Sequence, residues 1–420
     1  MNIANATLEQ VLDFRERRSE LQRELLSQYR LPLISFTMNI AGPVKRTALV
    51  EFAFDETIKR IRASFGKPSA YREVRCTAGC EAFFIYEREA GELKDNCVEL
   101  EEEAALGRLL DLDVLRADGV KLSRTVSRKC LICGADAFPC ARARRHSLAE
   151  LTEKTNAILQ EYAAKKVGEY AVQALLDEVR LTPKPGLVDA ENSGAHSDMD
   201  ISLMEKSANS LRGYFEIAAK LGMSHSTRCA QPLQRAGIEA ERTMYAATNG
   251  VNTHKGLVFS LGLLCAAAGQ VLADSAGRIP EQAARIAAGL REIPENSHGA
   301  AVKVRYSAPG ARAEALSGFP HVLSALAQLK NGASKSAVLL SLMRDVEDSN
   351  LLWRGGLEGL QFVQSSAARI LACPLSEQER EIRKLDAQCI ARRLSPGGSA
   401  DLLAAALFLN YLPFTQIDLA

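Results

Sequence analysis

Hydrophobic positions follow two different periods along the chain. Before residue 150, segments with the 3.6-residue period of a helix alternate with short segments of period two, which are typical of strands. The helical pattern covers 8–29 and 54–66, and the strand pattern covers 32–38, 81–88 and 106–115. From about residue 165 the strand pattern nearly disappears, and Ala-, Leu- and Glu-rich helical segments follow, separated by Gly- and Pro-containing breaks.

This change of period predicts two domains, an α+β domain over 1–150 and an all-α domain over 165–420. The charged stretch between them is helical in pattern and contains neither Gly nor Pro. We therefore expect a stiff helical connector over 151–164 rather than a flexible linker.

One stretch of the second domain places polar residues directly in front of an apolar run. Residues 250–269 read GVNTHKGLVFSLGLLCAAAG, which predicts a helix buried on all sides after Gly256. The polar residues before it are Asn252, Thr253, His254 and Lys255. A helix N-terminus presents free N–H groups and the positive end of the dipole, so this position suits a bound phosphate. The alternative is an ordinary N-cap with His254 hydrogen-bonded in the core.

Composition and charge narrow the class of protein. The chain has 420 residues and a formal net charge of +1, so it lacks the basic signature of nucleic-acid or anionic-membrane binding. Its first residues form an amphipathic charged helix rather than a secretory signal, and the apolar run 402–412 is too short to cross a bilayer. Ten cysteines in such a chain indicate reduced thiols. We expect a soluble, cytoplasmic protein.

A second polar cluster lies in residues 182–200, which read TPKPGLVDAENSGAHSDMD. Its polar side chains are Lys184, Asp189, Asn192, His196, Asp198 and Asp200. In an extended chain the last three share one face, as metal-binding or acid–base groups require. The alternative is structural: Ser202 and Glu205 form a capping box for the following helix, with Asp200 as a further cap.

An acidic pair is the third cluster. Asp345 and Asp348 are three residues apart, which predicts a shared helix face and a pair of carboxylates suited to Mg²⁺. A solvated acidic face is the alternative. The following Arg354, Gly355 and Gly356 offer a charge and a close backbone approach to a phosphate or ribose.

A Gly-rich turn is the fourth cluster. Gly397 and Gly398 precede another apolar helix, with Ser399 as the expected N-cap. Two such helix ends together with an acidic pair favour a polyphosphate site, although neither matches a Walker A or Rossmann motif.

These motifs resemble, in order, the triphosphoribosyl-dephospho-CoA synthase family. The similarity covers about 165–415 and rests on TPKPGLVD, GAHSDMD, GVNTHKG, GARAEALSGFP, DSNLLWRGG and SPGGSADLLA. It implies transfer of the triphosphoribosyl group of ATP to the 2′-hydroxyl of 3′-dephospho-CoA, with adenine leaving. Displacement at ribose passes through an oxocarbenium-like transition state, in which a carboxylate activates the attacking hydroxyl.

Hypothetical roles follow from that chemistry. The catalytic base is Asp189 or Asp198, with His196 beside them. The Mg²⁺ ligands are Asp345 and Asp348. The groups expected to hold phosphates are Lys184, Thr253, His254, Lys255, Arg354, Gly355, Gly356, Gly397, Gly398 and Ser399.

In the first domain, the strand pattern at 106–115 carries two aspartates. Asp111 and Asp113 alternate with leucines, so both carboxylates lie on one face, as two-metal nucleotidyl transfer with Mg²⁺ requires. A strand with one solvated face is the alternative. Lys45, just after a Gly-Pro turn, is a candidate phosphate contact.

A cysteine-rich segment follows at 127–147. The spacing C-x2-C-x6-C-x5-H fits a structural Zn²⁺ site made by Cys130, Cys133, Cys140 and His146. The alternative is a set of ordinary thiols beside a basic helix that grips an acidic partner.

These features resemble the apo-citrate lyase phosphoribosyl-dephospho-CoA transferase family over about 8–150. The similarity rests on NIAGPVK, GRLLDLDVL and the CLIC segment, and Ala41 departs from the proline of the family pattern N-x-P-G-P-x-K. It implies that a serine of an acyl carrier attacks the α-phosphate of the triphosphoribosyl precursor and expels pyrophosphate. Asp111 and Asp113 would bind Mg²⁺, and Lys45, Arg124 and Arg128 would contact phosphates. We expect a nucleotidyltransferase-like fold, although the Gly-Ser motif of those enzymes is missing.

The two resemblances belong to one pathway, since the second half makes what the first half consumes. They imply a bifunctional enzyme that builds the citrate lyase prosthetic group from ATP and 3′-dephospho-CoA and attaches it to the acyl carrier (γ) subunit. Three alternatives remain: the malonate decarboxylase counterpart, a non-catalytic carrier-binding module, and a metal-dependent ribosyl hydrolase.

Overall fold

The computed structural model describes residues 4–224, 228–275, 277–291 and 298–413. These residues form two compact units, one built mainly from the chain before residue 164 and the other from the chain after it. The fold is mostly helical, with one small four-stranded sheet.

The first unit combines helices with the sheet. Its elements are α1 (Leu8–Tyr29), β1 (Leu33–Met38), α2 (Ala48–Phe65), β2 (Ala70–Cys76), β3 (Gly79–Ile85), α3 (Ala90–Glu102), a 3₁₀ turn (Ala105–Leu109), β4 (Leu110–Leu115) and α4 (Ala137–Arg142). The helix expected at 8–29 is confirmed, and Thr7 and Gln10 cap it reciprocally. Strands are confirmed at β1, β3 and β4.

Strand β2 was missed by the hydrophobic pattern. It lies at the edge of an antiparallel sheet of order β2-β3-β1-β4, and its central residues are exposed. An edge strand of this kind buries too little surface to need the alternation that marks a half-buried strand.

Different helices pack on the two faces of the sheet. On one face the ring of Phe36 stacks on Phe54 of α2, with centroids 4.9 Å apart. On the other face Leu25 and Leu26 of α1 pack into a core cluster with Leu33 and its neighbours. Beyond that cluster the same face turns polar, and this polar end holds the candidate site.

The second unit is built from helices, of which α5 and α9 also contribute residues to the first unit. They are α5 (Leu148–Val179), α6 (Ile201–Ser210), α7 (Arg212–Ser224), α8 (Ala230–Ala247), α9 (Lys255–Asp274), α10 (Ile279–Ala288), α11 (His298–Tyr306), α12 (Gly310–Leu316), α13 (Pro320–Lys330), α14 (Lys335–Asp345), α15 (Ser349–Leu371), α16 (Leu375–Arg392) and α17 (Gly397–Tyr411). The stretch expected to be helical at 151–164 lies within α5, which continues to Val179.

Helix α9 is the apolar helix after GVNTHKG. Among the described residues it is the one helix long and apolar enough to cross a membrane, yet 78% of its apolar window is buried within the fold. Glycines let it approach α7 closely: a Cβ on Gly222 would lie 1.9 Å from the Ala266 carbonyl oxygen, and a Cβ on Gly269 would lie 2.1 Å from that of Ala219. The expectation of a helix buried on all sides is therefore confirmed.

Candidate functional site

A buried ion pair marks the candidate site of the second unit. Lys184 is 1% exposed, and its Nζ donates to the carboxylate of Glu178 at 2.7 Å and to the Glu178 carbonyl at 2.8 Å. Two charges removed from water in this way must compensate each other, because either one alone would carry its full desolvation cost. Lys184 is thus committed to Glu178 and is not free to reach a phosphate.

Carboxylates fix the loop 182–200. Asp189 accepts hydrogen bonds from the backbone N–H groups of Lys184 (2.9 Å), Glu191 (2.8 Å) and Asn192 (3.1 Å). Asp386 accepts from the N–H of Gly186 (2.8 Å) and the amide of Asn192 (2.9 Å). Both oxygens of Asp189 are therefore occupied by the loop that contains it.

His196, Asp198 and Arg354 meet although two segments far apart in sequence supply them. Arg354 donates to His196 Nδ1 (3.3 Å) and to the Ala195 carbonyl (3.1 Å), and Asp198 lies 3.9 Å from the same Nδ1. Burial, with the Arg354 charge, lowers the pKa of His196, so the ring is neutral at pH 7. The carboxylate of Asp198 is 61% exposed and faces solvent.

Asp200 does not belong to that group. The chain bends after His196, and Asp200 caps α6 by accepting from the Leu203 N–H at 2.8 Å. The prediction of a Ser202–Glu205 capping box is wrong. Helix α6 already begins at Ile201, and Glu205 pairs with Arg180 at 2.6 Å. Of the two capping roles predicted as the structural alternative, the one for Asp200 is confirmed.

The polar residues before α9 form a hydrogen-bonded chain. His254 Nδ1 bonds the Ser207 hydroxyl at 2.8 Å, and that hydroxyl bonds Thr253 at 2.6 Å. Burial and the nearby Lys184 lower the pKa of His254 to about 3, so its ring is neutral. Its Nε2 is buried and has no hydrogen-bond partner among the described residues. Lys255 is half-exposed and lies 3.4 Å from Glu241.

Asp345 and Asp348 do not form the expected pair of metal-binding carboxylates. Helix α14 ends at Asp345, whose exposed carboxylate is held by Arg344 at 2.6 and 2.7 Å. Asp348 is 1% exposed and caps α15 by accepting from the N–H groups of Asn350 (2.9 Å) and Leu351 (3.4 Å). The two residues share no helix face, because the helix breaks between them.

Asp348 also holds the start of α17. Its second oxygen accepts from the Ser399 N–H at 2.8 Å and from the Ser399 hydroxyl at 3.1 Å. The expectation that Ser399 is an N-cap is wrong, because α17 begins at Gly397 and Ser399 lies inside it, fully buried. A Cβ on Gly398 would come within 3.1 Å of the Asp348 carboxyl group. One buried carboxylate therefore joins two helix N-termini.

The glycines after Arg354 serve packing. Gly356 has φ +62°, where α15 kinks, and a Cβ on Gly355 would lie 2.4 Å from the side chain of Leu394. Gly397 is equally crowded, since its Cβ would lie 2.6 Å from the amide of Asn350. In this structure these glycines admit neighbouring side chains where a bound phosphate was expected.

Asp401 is the acidic residue that the sequence analysis missed. It is the single charged residue of α17, and its carboxylate lies against Gly256, where a Cβ would come within 2.1 Å of Oδ2. Burial raises the pKa of Asp401 well above its ordinary value, and the negative charges of Glu178 and Asp348 raise it further. One charge in an otherwise apolar helix was the signal available in the sequence.

In the first unit, the two aspartates of β4 do lie on one face, as expected. Asp111 pairs across the sheet with Thr37, and Asp113 pairs with Ser35. On the other side of Thr37 lies Glu81 of β3, a third carboxylate on that face that the sequence analysis missed. Glu81 is 2% exposed and forms an ion pair with Arg18.

Basic side chains surround this acidic face. Arg128 lies 3.8 Å from Asp111, and both Arg128 and Arg124 pair with the buried Glu101 of α3. Glu101 in turn accepts from the Leu112 N–H at 2.7 Å, between the two aspartates. Lys121 adds a 2.6 Å ion pair to Asp113. Of the two arginines predicted from the sequence, Arg128 therefore contacts Asp111, and Arg124 shares the Glu101 carboxylate with it.

Lys45 folds back onto its own loop. Its Nζ donates to the Ile40 carbonyl at 2.5 Å, and burial, together with Arg15, lowers its pKa. The contact closes the loop that contains the NIAGPVK motif. Phosphate binding by Lys45 stays a prediction.

The cysteine-rich segment brings its four expected ligands together. One ligand atom from each of Cys130, Cys133, Cys140 and His146 lies within 4.8 Å of all the others. His146 lowers the pKa of the Cys133 thiol to about 6. All ten cysteines, every one of them among the described residues, are free thiols.

Comparison with known proteins agrees with both resemblances. The model of the family described as ATP:dephospho-CoA triphosphoribosyl transferase matches residues 164–416. That of apo-citrate lyase phosphoribosyl-dephospho-CoA transferase matches residues 6–162. Protein CitXG of Haemophilus influenzae is 36% identical over 96% of this chain and 95% of its own length.

Two further relatives agree. Protein CitXG of Leuconostoc mesenteroides is 32% identical over 96% of this chain and 97% of its own. A 2-(5''-triphosphoribosyl)-3'-dephosphocoenzyme-A synthase of Haemophilus ducreyi is 38% identical over 66% of this chain and 98% of its own. The chain therefore belongs to the family of bifunctional transferases of citrate lyase prosthetic-group biosynthesis, in which the phosphoribosyl-dephospho-CoA transferase precedes the triphosphoribosyl transferase.

Proposed function

We propose that the second half transfers the triphosphoribosyl group of ATP to the 2′-hydroxyl of 3′-dephospho-CoA and releases adenine. The first half then transfers the phosphoribosyl-dephospho-CoA group to a serine of the citrate lyase acyl carrier (γ) subunit and releases pyrophosphate. The observation that carries this proposal is the tandem match of one chain to the two consecutive families. Its full-length relatives support it, since both bear the name of the fused protein.

For the first reaction we propose Asp198 as the base. Of the two candidates, Asp189 has both oxygens occupied by backbone N–H groups, whereas Asp198 has an exposed carboxylate beside His196 and Arg354. Arg354 lies beside the same histidine and suits a phosphate oxygen. Asp401, whose pKa is raised by burial, suits a proton donor to the departing adenine.

For the second reaction we propose Asp111 and Asp113 as the Mg²⁺ ligands. Two partly exposed carboxylates on one strand face fit this ion, which binds oxygen and keeps several waters. When bound there, Mg²⁺ would neutralise charge on the triphosphate. Arg124 and Arg128 would contact the same phosphates. Asp345 and Asp348 do not fit such a site, because one is paired with arginine and the other is a buried cap.

We further propose a nucleotidyltransferase-like α+β fold for the first half and an all-α fold for the second. The strands β1 to β4, all before residue 116, and the helices α5 to α17 after it support this division. Ten free thiols support a cytoplasmic location.

The proposed reactions are tested by measuring adenine release, pyrophosphate release and the mass of the carrier subunit. The full chain is incubated with ATP and Mg²⁺, with and without 3′-dephospho-CoA, and adenine is quantified by chromatography. We expect release only with 3′-dephospho-CoA; release without it would indicate a ribosyl hydrolase. Apo-carrier subunits of citrate lyase and malonate decarboxylase are then added, and pyrophosphate and carrier mass are measured. Labelling of the malonate decarboxylase carrier alone would contradict the carrier assignment, and labelling of neither would indicate a binding module.

The base is tested with Asp198→Asn and the matched control Asp345→Asn. We expect adenine release to fall by about 100-fold or more in the first variant, because a positioned base contributes on this order. The control should stay within about twofold, since its side chain is exposed and paired with Arg344. Equal rates in both variants would remove Asp198 from the mechanism.

A further inference from the structure

The segment between β4 and α5 has almost no hydrophobic core of its own. Among residues 116–147, Cys140 alone is buried, and the one regular helix is the six-residue α4. A stretch of this length with so little buried apolar surface needs another source of order, and a metal ion is a common one.

The four donor atoms have the spacing of a tetrahedral site. The sulfur of Cys140 lies 3.5 Å from that of Cys130 and 3.9 Å from that of Cys133. Tetrahedral Zn²⁺ with bonds of about 2.3 Å to sulfur separates its ligands by about 3.8 Å. His146 completes the set, and its Nε2 is buried without a hydrogen-bond partner among the described residues. An unpaired buried nitrogen next to three sulfurs points to a missing bond.

The backbone turns tightly between the first two cysteines. The Gly134 N–H donates to the Cys130 carbonyl at 3.3 Å, and the Cys130 N–H donates to the Ala135 carbonyl at 2.5 Å. Gly134, at φ +70°, allows this turn. The turn keeps Cys130 and Cys133 close together, as two ligands of one ion require.

We propose that Cys130, Cys133, Cys140 and His146 bind one structural Zn²⁺ ion. Four protein ligands leave no open position, so the site is structural rather than catalytic. Three thiolates exceed the charge of the ion by one, and the basic residues Arg142, Arg144 and Arg145 of the same segment offset that excess. A disulfide would use only two of the three sulfurs and would leave the histidine unpaired.

The zinc ion would also position the arginines of the acidic face. Arg128 stands two residues before Cys130, and its carbonyl accepts from the Ala137 N–H at 2.8 Å. Loss of the ion would release Arg128 from Glu101 and Asp111. This consequence rests on the proposed transfer to the carrier: that reaction should weaken while adenine release persists.

The experiment measures metal in the untagged full chain by mass spectrometry. We expect about one zinc per chain in the wild type, and below about a tenth in Cys130→Ser and Cys140→Ser. Cys76→Ser, a partly exposed thiol on β2, is the matched control and should retain the metal. Because zinc content does not depend on activity, failure of the proposed reactions would leave this result readable.

A second measurement covers variants that fail to fold. Wild-type protein is stripped with a chelator and reloaded with Co²⁺, and we expect thiolate-to-metal charge transfer and visible bands typical of tetrahedral cobalt. Wild-type protein with free, titratable thiols and no zinc would overturn the proposal. So would a disulfide detected by mass, or iron with the absorption of an iron–sulfur cluster.

Discussion

The two units build their candidate sites in different ways. In the first unit, Asp111 and Asp113 stand on one strand, and their side chains are 44% and 23% exposed. In the second unit the charged groups come from a loop and several helix ends, and Lys184 and Asp348 are each 1% exposed. The aspartates of the first site lie on the surface of a sheet whose core is formed by other residues. Lys184 and Asp348 of the second site belong to the core that holds its helices together.

Because of this difference, substitutions at the two sites should differ in whether they change activity alone or folding stability as well. Partly hydrated carboxylates can change without leaving a buried charge, so substitutions of Asp111 and Asp113 should affect activity alone. Buried charges and caps must be compensated, so substitutions of buried groups such as Lys184 and Asp348 should affect folding and activity together.

The largest expected effect is on the buried ion pair. Lys184→Ala leaves the Glu178 carboxylate uncompensated and should lower the free energy of unfolding by roughly 3–5 kcal/mol. Urea unfolding followed by circular dichroism measures it. Lys384→Ala, which breaks an exposed pair with Glu381, should cost less than about 1 kcal/mol. Equal losses in the two variants would contradict the comparison, and Lys184→Met with Glu178→Gln should recover part of the stability.

Asp111→Asn is the counterpart in the first unit. We expect pyrophosphate release to fall about 100-fold, because the metal loses a charged ligand, while the free energy of unfolding changes by less than about 1 kcal/mol. Adenine release should not change. Asp118→Asn removes an exposed carboxylate that pairs with Arg116 and serves as control. A large loss of stability in Asp111→Asn would show that the acidic face is structural.

The same difference explains what the sequence could predict. Strand alternation is local, so the shared face of Asp111 and Asp113 followed from spacing alone. Asp345 and Asp348 have equally suggestive spacing, but a helix ends between them, and an aspartate that caps a helix differs from a metal ligand only in its surroundings. The contacts of Asp401 with the start of α9 join residues some 145 positions apart, and no local pattern encodes them.

The stability of the protein should depend on pH through His254. The pKa of His254 is lowered to about 3 by burial and Lys184, against an ordinary value near 6.5. Only the unfolded chain binds this proton between those values, so stability is lost as pH falls below 6.5, by about 2 kcal/mol at pH 5. His254→Asn should remove that part of the pH dependence in urea unfolding, whereas His321→Asn, at a half-exposed histidine, should not. Parallel profiles for wild type and His254→Asn would contradict the assignment.

The smallest expected effect is at Asp401, and its sign is opposite to that of a typical destabilising variant. Burial raises the pKa of Asp401, so the folded protein holds this proton more tightly than the unfolded chain, and stability falls as pH rises above about 4. Asp401→Asn has no charge to bury and should be more stable than wild type at pH 7, with the gain vanishing towards pH 4.

Adenine release by Asp401→Asn should nevertheless fall, because the amide cannot supply the proton proposed for the leaving base. Asp345→Asn is the control of opposite sign, since Arg344 lowers the pKa of Asp345 and its carboxylate favours the folded state above its ordinary pKa. If Asp401→Asn gains stability and loses activity, the protonated Asp401 side chain destabilises the fold and is retained for catalysis. If Asp401→Asn lost stability instead, Asp401 would act as a structural group like Asp348 rather than as a proton donor.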